Sequence, residues 1–100
     1  MRSINYVVQG SVVLVALVLA LPIVIGAEST SARSEIRLEL AELMVGDARY
    51  WEALTLYDRA KDGAQAEQLV RASSGLLRSL LRVGEFSRAR LEADFFNSLG

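Results

Sequence analysis

The chain is expected to be all-α, and three observations carry that expectation. Apolar residues recur at helical spacing throughout the polar two thirds of the chain. No stretch there alternates apolar with polar over β-branched residues, as a half-buried strand does. Glycines stand where those periodic segments break, at Gly46, Gly63 and Gly84, which are natural helix ends.

The first element is an apolar run. From Tyr6 to Ala27 there is no charge, and Gln9 and Ser11 are the only strongly polar interruptions. Two readings fit residues 1–27. A signal peptide has a charged start, a short apolar core and a small-residue cleavage site, which Arg2, Val12 to Leu21 with the helix-breaking Pro22, and Ile25-Gly26-Ala27 supply. A transmembrane anchor needs about 20 apolar residues, and the segment would form about 33 Å of helix, enough for a bilayer core. Either way the helical part is expected outside the cytoplasm, exported across or anchored in the cytoplasmic membrane, periplasmic or extracellular. Membrane contact runs through residues 4–27 if the segment is retained.

Residues 28–33 read as a polar linker, and residues 34–100 as the helical domain. Its first helix carries Ile36, Leu40, Leu43 and Met44 on one face. Leu38, Ala41 and Val45 form a second set, so this helix should touch neighbours on both sides. After Gly46-Asp47-Ala48-Arg49, a second helix places Tyr50, Ala53, Tyr57 and Ala60 at i, i+3, i+7 and i+10, and Asp62-Gly63 stops it. A third helix, from about Ala64 to Val83, has Leu69, Leu76, Leu77, Leu80 and Leu81 as its apolar face. Its small Ser73-Ser74-Gly75 middle suits close approach by another helix. Gly84-Glu85 makes the next turn, and a fourth helix carries Phe86, Ala89, Ala93 and Phe96 with the same spacing as Tyr50, Ala53, Tyr57 and Ala60.

Composition excludes several chemistries. The chain has no cysteine and no histidine, which removes disulfides, thiolate nucleophiles, the commonest metal ligand and the usual general base. Beyond residue 27 there are 12 acidic and 10 basic side chains, a balance that gives no electrostatic case for nucleic acid. No catalytic residue, metal site or cofactor site is expected, and no small-molecule substrate is evident. Glu35, Glu39 and Glu42 share a helix face, but without a histidine or a second carboxylate helix they read as a solvated face rather than a metal or acid/base site.

The most specific pattern is a recurrence. Gly46 to Ala60 (GDARYWEALTLYDRA) and Gly84 to Phe96 (GEFSRARLEADFF) each show glycine, an acid, an aromatic, and alanine three residues after the aromatic. Ala53 and Ala89 are 36 residues apart. The pattern resembles the tetratricopeptide repeat, a helix-turn-helix unit of about 34 residues, in two copies, about 34–63 and 64–100. In the first copy Leu40 and Ala41 match the family's first-helix pair, Tyr50 its turn aromatic, Ala53 its crossing alanine, Tyr57 its second aromatic and Ala60 its closing alanine. The second copy keeps Gly84, Phe86 and Ala89. The chain departs from the family at Arg37, at Ala48 in the turn-glycine position and at Gln65 in place of proline. In the second copy Leu77 stands at the small crossing position, and Ala93 and Phe96 are in exchanged order.

The resemblance implies a binding surface rather than a reaction vessel, concave and lined by the first helix of each hairpin. It would carry Glu35, Leu38, Glu39, Glu42 and Val45 from one copy and Arg71, Ser74, Arg78, Leu81 and Arg82 from the other. One reading makes this a groove for a peptide or helix, anchored by Leu38, Val45 and Leu81. The other has Glu42 and Arg78 neutralise each other across adjacent helices. Repeats that capture a C-terminal carboxylate use lysine and asparagine where Leu38 and Glu42 stand here, so that activity is not implied. Trp51, Tyr50, Tyr57 and Phe86 are expected to pack. Phe95, Phe96 and Leu99, on a helix that is usually a polar cap, are expected to leave an exposed docking end. Two repeats are also few for an independent core, which points to a protein partner or self-association. The function expected is a non-enzymatic adaptor or accessory subunit of a bacterial envelope complex. The alternatives are a single-pass subunit whose span makes the main contacts and a secreted carboxylate-dependent enzyme or effector.

Overall fold

The structure, a computed structural model, describes residues 30–100, and the proposed signal peptide or anchor at 1–27 lies outside them. Four helices follow one another: α1 over 30–46, α2 at Tyr50–Ala60, α3 at Ala66–Val83 and α4 at Phe86–Ser98. There is no strand among the described residues, so the all-α expectation holds. Among them, no helix is long and apolar enough to cross a membrane.

The core lies between α1, α2 and α3 and continues under α4. Leu38, Ala41, Ala53, Leu54, Tyr57, Ala60, Ala72, Leu76, Leu80 and Ala89 are all buried in one cluster. Five of the ten are alanines, and small side chains let helix axes come close. The clearest case is Gly75, in the middle of α3. A Cβ placed there would stand 2.3 Å from the Tyr57 ring, so the ring of α2 lies directly on the backbone of α3. The expected close approach at Ser73-Ser74-Gly75 is therefore present.

The α1–α2 and α3–α4 turns are built alike. In the first, the Ala48 N–H donates to the Val45 carbonyl (3.0 Å) and the Arg49 N–H to the Met44 carbonyl (2.8 Å). In the second, Gly84 donates to Leu81 (3.3 Å) and Glu85 to Leu80 (2.9 Å). Both form the Schellman pattern, which occupies carbonyls that a helix end leaves open. It requires a left-handed residue, supplied by Gly84 (φ 79°) and by Ala48 (φ 59°). The next residues, Arg49 (φ −93°, ψ 67°) and Glu85 (φ −84°, ψ 66°), also coincide. Thus the same backbone turn recurs 36 residues on.

Several expectations are corrected. Residues 30–33 are helical rather than a free linker, and the Ser31 hydroxyl donates to Gln68 Oε1 at 3.2 Å. On α1 the core takes the Ser34, Leu38 and Ala41 side. Ile36 and Leu43 remain 64% and 66% exposed, and Leu40 39%. Two apolar stripes competed for one core, and the one with the smaller residues beside Leu38 fits the tight α1–α2–α3 junction. α3 begins at Ala66 rather than Ala64, because Gln65 caps it: its N–H donates to Gln68 Oε1 at 3.0 Å in a reciprocal capping box. Trp51 (56% exposed) and Phe86 (68%) lie on outer surfaces instead of packing.

Candidate functional site: the groove between α1 and α3

Two adjoining hollows, of about 280 and 220 Å³, share Glu42, Tyr57 and Arg78 as walls. Together they form one groove along α1 and α3, floored by α2. Val45, Tyr50, Gly75, Ser79 and Arg82 complete the larger hollow. Val70, Arg71, Ser74 and Phe96 complete the smaller. The floor is set by the Tyr57–Gly75 contact, which holds the phenol in place. Burial raises the Tyr57 pKa above its ordinary value, and the Glu42 carboxylate raises it further.

Charge is divided unevenly along the groove. Arg71 Nη1 meets both oxygens of Glu35, at 2.7 and 3.0 Å, while its Nη2 reaches Glu42 Oε1 at 3.0 Å. The hydrogen bond from Arg71, with a further one from Gln68, lowers the Glu35 pKa below its ordinary value. These same bonds hold Arg71 charged. The expected Glu42–Arg78 neutralisation is thus replaced by a pair with Arg71, whose guanidinium spans two carboxylates one above the other on α1.

That leaves the other cations uncompensated. Arg78 makes no ion pair among the described residues, and the Arg82 guanidinium lies 5.7 Å from the centre of the Tyr50 ring without a carboxylate partner. Beneath them the Ser79 hydroxyl is buried and has no hydrogen-bond partner, the one such side-chain atom among the described residues. A buried hydroxyl without a partner costs about 1–3 kcal/mol.

Of the residues expected at the groove, Glu42, Val45, Arg71, Ser74, Arg78 and Arg82 line it, and Leu81 is half exposed beside it. Leu38 does not. It is fully buried, a core residue and not an anchor, because its side of α1 is the one turned to α2 and α3. Phe95, Phe96 and Leu99 are half-buried rather than a projecting end. Phe95 lies under Lys61, whose Nζ is 4.4 Å from the ring centre, and Phe96 walls the groove. Tyr57, Gly75 and Ser79 are groove residues that sequence reading assigned to packing or left unassigned. A polar residue at a leucine-flanked position, as in Leu77-Arg78-Ser79-Leu80, was the signal available for Ser79.

Among the described residues no three metal-ligating side chains gather. The fold and groove thus define an all-α array of four helices with a partly basic groove along α1 and α3. No known family model, curated protein or solved structure matches the chain.

Proposed function

We propose that this chain is a non-enzymatic interaction module of the tetratricopeptide type, an adaptor or accessory subunit of an envelope complex. Its groove takes a segment of a protein partner that carries an acidic side chain beside an apolar one. The observation that supports this most is the pairing of uncompensated Arg78 and Arg82 with the orphaned Ser79 hydroxyl in one hollow. A carboxylate there meets two cations, while Val45 and the tyrosine rings give the neighbouring residue an apolar wall. Recurrence of the turn after 36 residues supports the repeat reading. Export or anchoring rests on the apolar segment at 1–27.

The test is a photo-crosslinking residue at Val45 in the full chain, expressed in its host. A discrete adduct is expected, reduced at least tenfold, about 1.4 kcal/mol, by Arg78→Glu with Arg82→Glu. An adduct indifferent to both charge reversals, in a protein of unchanged helicity, overturns the assignment of the groove.

A further inference from the structure

The outward face of α1 carries Ile36, Leu40 and Leu43 at i, i+4 and i+7, all exposed. Because the turns recur at 36 residues, each has an equivalent on α3. Ile36 corresponds to Ala72, Leu40 to Leu76 and Leu43 to Ser79, and those three are at most 2% exposed. On α3 this face is the one helices pack against. On α1 nothing among the described residues covers it, although its side chains are the larger and more apolar set.

We infer that this face is a self-association surface, on which α1 of a second copy lies antiparallel with Leu40 near the two-fold axis. The charge pattern selects that occupant. Arg33 and Asp47 stand seven residues to either side of Leu40, two turns away, carry opposite charge, and have no ion-pair partner among the described residues. Antiparallel pairing about Leu40 sets Arg33 of each copy against Asp47 of the other, twice by symmetry. It also brings Ile36 towards Leu43 and Met44. Parallel pairing would place like charges together and is disfavoured. Head-to-tail pairing with α4 is disfavoured too, because the outward side of α4 interrupts its exposed Phe86 and Leu91 with the exposed, polar Arg90, Asp94 and Asn97. A few apolar residues per copy make a small interface, so dissociation in the micromolar range is expected.

The test is sedimentation of the full chain in density-matched detergent over a range of concentrations. A monomer–dimer equilibrium is expected. Leu40→Glu, and independently Ile36→Glu, should abolish the dimer while leaving helicity intact, since both side chains face outward. Arg33→Asp alone should weaken it at least tenfold, and Arg33→Asp with Asp47→Arg should restore it. Arg78→Glu with Arg82→Glu should leave it unchanged, which separates this surface from the groove. A chain that stays monomeric at every concentration overturns the inference, and shows the face to be covered by another part of the chain, by lipid or by a different protein. A dimer that survives Leu40→Glu, or that the charge exchange fails to restore, overturns it equally.

Discussion

Single residues hold the hairpins together through polar contacts that cross between helices. Gln68 uses its whole amide: Oε1 accepts from the Gln65 N–H and the Ser31 hydroxyl, and Nε2 donates to the Ser31 carbonyl (2.9 Å) and Glu35 (3.1 Å). Glu92 is buried on α4 and takes Lys61 Nζ at 2.7 Å and the Ser73 hydroxyl at 2.6 Å, so α2, α3 and α4 meet at one carboxylate. Removing the cation strands that carboxylate. Lys61→Met should therefore cost about 3 kcal/mol, the lower end for breaking a mostly buried pair. Lys61→Met with Glu92→Leu should recover most of it, as urea unfolding midpoints will read. Glu35 supplies a pH dependence. Its pKa is lowered from about 4.5 in the fold, so its contribution is complete above that value and is lost as the pH falls below it. The melting temperature of Glu35→Gln should lie below that of the parent at pH 7, and the gap should narrow as the pH falls below 4.5.

At the scale of elements, the two turns differ in one residue that matters. Ala48 holds a left-handed backbone that costs a residue with a Cβ about 1–2 kcal/mol, whereas Gly84 holds the same conformation freely. Glycine at 48 would also loosen the unfolded chain, an opposing effect of about 0.4–1 kcal/mol. The strain is the larger of the two, so Ala48→Gly should stabilise the protein by about 0.5–1 kcal/mol. Gly84→Ala should destabilise it by a similar amount, both read from chemical denaturation. Much of this level was legible in the sequence. The spacing of Tyr50, Ala53, Tyr57 and Ala60 and the glycine at 84 located α2 and the C-terminal end of α3, while α3 starts two residues later than its spacing predicts. The rotation of α1 was not legible, since Ile36-Leu40-Leu43 and Leu38-Ala41-Val45 are equally periodic. Only the space left by α2 and α3 decides which stripe goes inward.

For the whole molecule, the groove shows where a linear reading stops. Glu42, Arg71, Arg78 and Arg82 were recognised as facing a common surface, because periodicity alone puts them on the first helix of each hairpin. Which cation answers which carboxylate depends on side-chain reach across two helices, and that falls to Arg71. Nor does any spacing reveal that Ser79 is left without an acceptor, or that residues 31 apart, Lys61 and Glu92, close a pair. On the readings proposed above, the surface divides in two: a groove side suited to a partner's acidic segment and an outer side of α1 suited to a second copy.

The position of Lys61 also governs how the protein will respond to covalent reagents. It is the sole lysine of the chain, and its amine is held by a carboxylate and covered by a phenyl ring. Amine-directed cross-linkers will find almost no handle on the helical surface, so maps of its neighbours require carboxylate- or light-activated chemistry. Conversely, acylation of the Lys61 amine becomes a clock for the opening of α4 away from α2, readable by mass spectrometry as a tag on the peptide that contains residue 61.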